Sequence, residues 1–486
     1  MTTSANPAVT GQVAPPAPRD TAPHWAVLPV VLAGVFLSGL DFFIVNVAIP
    51  SIQQDLHANQ AQIQFIIAGY ALAYGVGMIT GGRLGDLYGR RRMFALAMTL
   101  FTLASAACGF APTPGFLLGA RVVQGAAAAL MAPQVLAIFS TVYTGVARAK
   151  AINWYGMTMG ISAVFGQLIG GVLIKANLFG LDWRSCFLIN LPIGLAAVLL
   201  TLRIIPESKA PGRPRLDLAG MILVTVALLA VVLPLIEGRQ QGWPAWTWVL
   251  LAAAVPLFAI FAVHQNRLRR AGGSPLIDLT LFRERAFTAG LLAQLVFWTG
   301  QASYFLVFAL FVQQGRKMDA LGAGLIFGAI GVGYLATSTT ARLVAARLGR
   351  QVIALGGLLR VVGLTLQVVT VAAIGITGNI AWLIPALIID GAGMGFAVAP
   401  LASTVLSRVT PSHAGSAAGV LTTGVQVGNA LGVSLIGLIF YNVLTRTSGP
   451  TAYPHAFNYS LLYLIGVGLA LALLVQMLPA RPPAPR

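Results

Sequence analysis

Twelve carboxylate side chains occur in this 486-residue chain, and ten fall in short polar connections or at the ends of apolar runs. The other two, Asp41 and Asp390, lie inside long apolar stretches. A charge at the centre of such a helix costs about 2.5–3.5 kcal/mol to insert in a bilayer, so it marks a functional candidate. The chemistry open to a buried carboxyl group is reversible proton binding, because burial in general favours the protonated form. Asp41 is the expected proton carrier; the competing reading is a structural acid paired with a neighbouring helix. Asp390 heads the stretch DGAGMG, where Arg360 could neutralise it as a plain structural pair. Arg121, with Gln124 and Gly125 close behind, places a permanent positive charge in a further apolar run. Such an arginine either acts on a nearby carboxyl group or snorkels toward an interface.

These residues need a scaffold that keeps charge away from water, and the composition describes one. Hydrophobic residues make up 57% of the chain and charged residues 9%, against about 25% charged in soluble domains. The mean hydropathy of +0.84 points the same way. An all-α integral membrane protein is expected, with the lipid bilayer as its surroundings. The formal net charge of +18 does not indicate nucleic acid. A nucleic-acid-binding domain gathers basic residues on one solvated face, whereas here they fall in short gaps between apolar runs. Cys108 and Cys186 lie in apolar runs without a CxxC partner and read as small core residues. The opening MTTSANPAVTGQVAPPAPRDTAPH is polar and rich in Pro and Ala. It reads as a disordered tail and lacks the basic start of a signal peptide.

Fourteen stretches are long and apolar enough to cross a bilayer, which takes about 20 residues each. They run near 26–50, 62–81, 93–111, 115–142, 150–175, 185–205, 217–237, 244–265, 287–314, 320–344, 351–375, 381–407, 415–444 and 456–478. Most Arg and Lys residues fall in the even-numbered connections and the tails, including the cluster Arg83–Arg92. Odd-numbered connections hold only Lys175, Arg184, Arg239, Arg316, Lys317 and Arg446. Cytoplasmic loops retain positive charge, so both termini are expected in the cytoplasm. Trp183, Trp243, Trp246 and Trp382 fall near the opposite interface.

The chain also resembles itself. QGAAAALMAPQVLAIFS ends the fourth stretch and GAGMGFAVAPLASTVLS ends the twelfth, with Pro133 matching Pro400 and Ser140 matching Ser407 at one offset. RLGDLYGRR returns as RLVAARLGRQ without its acid. Two related six-helix bundles are expected, with a site between them near the bilayer midplane. Residues 25–206 form the first bundle and 276–479 the second. The segment 207–275 holds a linker and an extra two-helix hairpin, and 1–24 and 480–486 are tails.

Four motifs give this organisation a family. GRLGDLYGRRR, between the second and third stretches, resembles the signature loop of the major facilitator superfamily. LDFFIVNVAIPSI, RVVQGAAAALMAP and GMTMGISAVFGQLIGG resemble the first-span, fourth-span and antiporter motifs of its fourteen-span drug:proton antiporters. The resemblance covers nearly the whole chain beyond the tail. It implies the major facilitator fold and a part for Arg121 in proton coupling; Asp41 and Asp390 are coupling candidates on their burial in apolar spans. It further implies a gating latch from Gly82, Arg83, Gly85, Asp86, Gly89, Arg90 and Arg91, with Asp86 at a helix N-terminus of the other bundle. The loop's plain alternative is a topogenic charge cluster. In the fifth stretch Gly156, Gly160, Gly166, Gly170 and Gly171 give a smooth face for close helix packing.

One position departs from the family pattern. The antiporter motif has proline after its Gly, and here Gly166 is followed by Gln167. Glutamine restores the backbone donor that proline lacks, so a weaker bend or a cavity-facing Gln167 is expected. It keeps open a metabolite-specific transporter or facilitator of the same fold. Polar side chains avoid lipid, which makes Asn46, Gln124, Asn153, Gln294, Gln301, Gln426 and Asn429 cavity candidates. Aromatic residues such as Phe42, Phe43, Trp298 and Tyr304 either line the cavity or fill the core.

The function expected is proton-driven export across a bacterial cytoplasmic membrane, needing no cofactor, and the resemblance implies an amphipathic drug-like or metabolite molecule as substrate. The expected partners are a small-molecule substrate and protons; a Gram-negative source would add a periplasmic adaptor. A receptor would need a sizeable soluble domain, and an enzyme a catalytic or metal constellation; neither is present in the sequence.

Overall fold

The computed structural model describes residues 25–209, 217–277, 279–406 and 414–478. Apolar sequences without water must satisfy every backbone group internally, and helices are the outcome. The first bundle holds α1 (Val27–Leu56), α2 (Gln60–Tyr88), α3 (Arg90–Gly109), α4 (Pro114–Val142), α5 (Gly145–Ala176), α6 (Ser185–Leu188) and α7 (Asn190–Ile204). The hairpin is α8 (Leu218–Gln240) and α9 (Ala245–Arg270). The second bundle holds α10 (Arg285–Leu310), α11 (Ala320–Ser338), α12 (Ala341–Leu348), α13 (Gln351–Ile374), α14 (Ile384–Leu406), α15 (Ala414–Arg446) and α16 (Ala452–Val475). Among the described residues thirteen stretches are long and apolar enough to cross a membrane, and the bent α5 makes fourteen. Among them α6 and α7 act as one crossing, whereas α12 is too short to span.

Local chemistry sets the ends. Asn59 and Gln62 form a reciprocal capping box at the start of α2, and Thr113 caps α4 ahead of Pro114 at its first turn. Asp319 caps α11 by accepting from Gly322 N at 2.9 Å. Three expected boundaries need correction. The second helix runs on to Tyr88, so Gly82–Tyr88 are helical and Gly89 alone separates α2 from α3. The first helix continues through Pro50 to Leu56. The tenth crossing stops at Ser338, and 341–348 form the separate α12. Thr339 and Thr340 turn the chain between them, with Thr340 Oγ1 donating to Thr337 O.

The two bundles pair their helices alike. In the first, α2 packs on α4, α3 on α4 and α7, and α1 on α5 and α7. In the second, α11 packs on α14, α13 on α14 and α16, and α10 on α15 and α16. The sequence repeat is therefore a repeat of packing. Between bundles the contacts are reciprocal, α5 on α11 and α2 on α15, and Phe43 meets Phe305 with ring centroids 5.2 Å apart. The hairpin leans α8 against both α2 and α15.

At the end away from the Arg83–Arg92 cluster the bundles are tied together. Gln314 donates to Gln53 Oε1 at 2.5 Å, and Lys175 Nζ lies 3.0 Å from Asp319 Oδ2. There Asp55 accepts from both Arg184 and the Trp183 indole. Trp183 is buried against the protein at this end, whereas Trp382 is exposed.

Candidate functional site

A cavity lies between the bundles, enclosing about 770 Å³ with its open mouth. It occupies the half nearer the arginine-rich end, since α1 contributes Gly34–Phe43 and α4 contributes Met131–Val135. Aromatic and methionine side chains make most of its wall: Phe42, Phe43, Tyr74, Tyr155, Trp298 and Tyr334, with Met131, Met159 and Met394. Its polar side chains, apart from the tyrosine hydroxyls and the Trp298 indole, are Ser38, Ser162, Gln426 and Asn429. Gly75 on α2 lets α15 approach, for a Cβ there would stand 2.9 Å from that of Gln426.

Behind this wall, in the first bundle, lies a closed polar network. Asp41 on α1 is fully buried and pairs with Arg121 of α4, also fully buried. The same carboxylate accepts from Gln124 Nε2 at 2.8 Å and from Asn190 Nδ2 at 3.0 Å. Arg121 also donates to Gln124 Oε1 at 2.8 Å and to Ile66 O at 3.3 Å. Its guanidinium sits 4.2 Å above the Tyr70 ring, whose hydroxyl donates to Ser38 O. Ser105 completes the network by accepting from Gln124 and Asn190. Five helices thus converge on one carboxylate. Burial rules out snorkelling for Arg121. Asn190 and Ser105 escaped the sequence reading; an Asn inside the apolar run LINLP was the available signal.

The second bundle holds its own pair. Arg360 Nε donates to Asp390 Oδ1 at 2.9 Å, with both residues buried. Asp390 takes the neutralised arrangement that its neighbour Arg360 suggested. Neither Asp41 nor Asp390 lines the described cavity.

The arginine-rich loop is held by a residue the motif does not contain. Glu207, just past α7, accepts from Arg91 N at 3.1 Å and Arg92 N at 3.3 Å, at the N-terminus of α3. Among the described residues Asp86 pairs with Arg90 at 3.2 Å, and its expected place at a helix N-terminus of the other bundle is not covered by the described residues. Spacing decides this, since Asp86 and Arg90 are four residues apart. Arg83 donates to Pro275 O at 2.8 Å, tying the loop to the segment after the hairpin. Gly89 has φ 107°, a conformation that favours glycine. Gly85 leaves room for Gln134, whose Oε1 would lie 1.8 Å from an added Cβ. Gly82 faces Pro133. Residues 407–413, which precede α15, lie outside the described residues.

The glycines of α5 separate by face. Gly166 and Gly170 approach Phe43 and Ile44 of α1, while Gly160 and Gly171 approach Tyr334 and Ala320 of the second bundle. A Cβ at Gly156 would meet nothing within 4 Å. The helix bends by 43° between Gly145–Ala163 and Phe165–Ala176. A strong bend thus occurs without proline, in a segment where Gly and Ser are dense. Gln167 does not line the described cavity: it is fully buried, and neither side-chain polar atom has a partner.

Of the other expected cavity residues, Gln426 and Asn429 line it. Asn46 instead donates to Phe43 O at 3.1 Å, one turn back on its own helix. Gln124 belongs to the Asp41 network, and Gln294 and Gln301 are buried in α10 outside the described wall. The side chain of Asn153 lies outside the described residues. Apolar composition does not say which helix face turns inward, so these positions could not be sorted from sequence.

Two pseudo-repeated bundles around a cavity, with ion pairs sealed in each bundle, define a membrane transporter. A sequence profile of the Major Facilitator Superfamily matches residues 31–433 and, overlapping, 291–486. The chain belongs to that superfamily. It is 38% identical over 431 residues to a probable actinorhodin transporter of Streptomyces coelicolor, covering 88% of this chain and 74% of that protein. It is 33% identical over 471 residues to a puromycin resistance protein of Streptomyces alboniger, covering 94% and 91%. With a cephamycin export protein of Amycolatopsis lactamdurans it shares 32% identity over 478 residues, covering 95% and 94%. Among solved structures, a POT family transporter matches at TM-score 0.66 and 16% identity, covering 93% and 95%. The xylose transporter of E. coli matches at TM-score 0.62 and 13% identity, covering 93% and 98%. These two likenesses concern the fold.

Proposed function

We propose that the protein is a proton-driven exporter of amphipathic, drug-like molecules. The bacterial cytoplasmic membrane is its place, with both termini and the arginine-rich end in the cytoplasm. The observation that carries proton coupling is the Asp41–Arg121 pair, fully buried on the same helices that supply the cavity wall. Ser38 and Phe42 line the cavity on the same helix as Asp41, and Tyr70 links Ser38 to the face of Arg121.

Protonation of Asp41 removes the charge that Arg121 holds. The guanidinium then loses its partner, and α1 and α4 are no longer pinned by attraction. Coupling needs only that proton and substrate favour different orientations of the bundles. Because Asp41 stands behind the wall, the two ligands compete for conformational states rather than for one contact. The relatives named for antibiotic transport, resistance and export support the direction. So does the bend of α5, which survives the exchange of proline for Gln167.

The test uses inverted membrane vesicles with an imposed proton gradient, scored for uptake of aromatic antibiotics and dyes. Wild-type uptake should follow the gradient, and Asp41→Asn should abolish that dependence. Uptake in Asp41→Asn that still follows the gradient would remove Asp41 from the mechanism. Movement indifferent to the gradient in the wild type would make the protein a facilitator.

A further inference from the structure

The cavity wall lacks any carboxylate. Only Asp20 and Asp278 among the acids lie outside the described residues, and none of the other ten lines the wall. Asp41 and Asp390 are sealed behind it with their arginines. Asp86, Asp217, Asp319 and Glu207 are paired at the ends of helices. A permanent cation entering this cavity would shed water without meeting a countercharge. The aromatic rings offset part of that loss, at about 2 kcal/mol for a desolvated cation–π contact. The effective desolvation cost of an ion is several kcal/mol, and no carboxylate on the described wall returns it.

Among the described residues, one fully buried polar atom of the wall lacks a partner. Asn429 is 3% exposed and its Oδ1 has no hydrogen-bond partner. Its amide nitrogen donates to Gln426 Oε1 at 3.2 Å, which fixes the side chain and leaves its own oxygen, itself buried at the wall, without a donor. A buried acceptor left unmade costs free energy that a ligand donor recovers. Across the same wall, Trp298 and Tyr334 supply flat apolar surface.

We propose that the cavity selects uncharged aromatic molecules bearing a hydroxyl or N–H donor, which Asn429 accepts, and disfavours permanent cations. The proposal rests on the transporter reading only for taking this cavity as the substrate site.

Three probes with one ring system separate its parts: pyrene, 1-hydroxypyrene and 1-pyrenemethylammonium. Binding to the purified full-length protein in micelles is read from tryptophan-to-pyrene energy transfer, with empty micelles subtracted. At near-neutral pH 1-hydroxypyrene should bind about tenfold more tightly than pyrene, as one well-made hydrogen bond allows. It should exceed 1-pyrenemethylammonium by at least about tenfold, since that probe brings N–H donors but adds a charge the wall does not balance. Asn429→Leu should erase the preference for 1-hydroxypyrene over pyrene while leaving pyrene binding intact. Gln426→Glu should raise affinity for the ammonium probe. Equal binding of all three, or tightest binding of the cation, overturns the proposal. If Asn429→Leu does not accumulate, the wild-type ranking and Gln426→Glu decide. The expected ranking together with no gradient-driven uptake in vesicles would uphold the cavity chemistry and reject the exporter.

Discussion

Arg121 of α4 meets Asp41 of α1 with no solvent-exposed surface left on either side chain. Removing one member of such a pair strands the other in a dry interior, at a cost of roughly 3–5 kcal/mol. Arg121→Leu and Asp41→Leu should each lower the thermal unfolding midpoint in detergent sharply. The double variant should recover most of that loss. A strictly additive double variant would mean the two charges do not share one energetic site.

Gln167 stands where the family pattern has proline, and its amide is buried with both polar atoms unpaired. It lies one turn before Gly171, whose face meets Ala320 of the second bundle. Gln167→Leu keeps the volume and removes the unpaired amide, so unfolding should become harder by about 1–3 kcal/mol. The same change should favour the arrangement in which α5 meets α11. A lower midpoint in Gln167→Leu would indicate that the amide is satisfied in the working protein.

Lys175 and Asp319 join the bundles at the end away from the arginine cluster. The hydrogen bond from Lys175, with help from Gly322 N, holds the Asp319 carboxyl below the usual aspartate range. A depressed acid contributes fully above its ordinary value and loses that contribution as pH falls through the depressed one. This link should therefore hold unchanged between pH 5 and 8, and weaken only in strong acid. Spin labels at exposed Leu178 and Lys317 should report one distance across that range. Lys175→Glu should lengthen it, and a change centred near pH 6 in the wild type would contradict the assignment.

Glu207 receives the first amides of α3 and the side chains of Arg91 and Arg92. A carboxylate at a helix N-terminus contributes about 0.3–1 kcal/mol, lessened by salt. Glu207→Gln should cost about that much, and the loss should shrink at high ionic strength. Amide exchange at Arg91 and Arg92 should quicken before any other part of α3. Unaltered exchange there would show that the loop holds itself without Glu207.

Much of this molecule could be read before any coordinates. The fourteen crossings, the two bundles and the extra hairpin follow from long apolar runs interrupted by arginine. The buried acids stand out because Asp41 and Asp390 are expensive where they lie, and an arginine in the preceding span leaves a pairing with Arg360 open. The cavity was much harder to read. Helices that are apolar on every side carry no periodic signal of an inner face, so Asn46, Gln294 and Gln301 looked as eligible as Gln426. Glu207 looked like one more linker charge until the fold brought it to the start of α3.

The sequence by itself determined what must be dehydrated and where charge must sit, because transfer from water to lipid acts on each residue type almost independently of its neighbours. Tertiary structure alone decided which groups meet. Partners such as Asp41 and Asn190, or Gln426 and Gly75, lie far apart in the chain, and only the packing angles of whole helices bring them within a few ångströms.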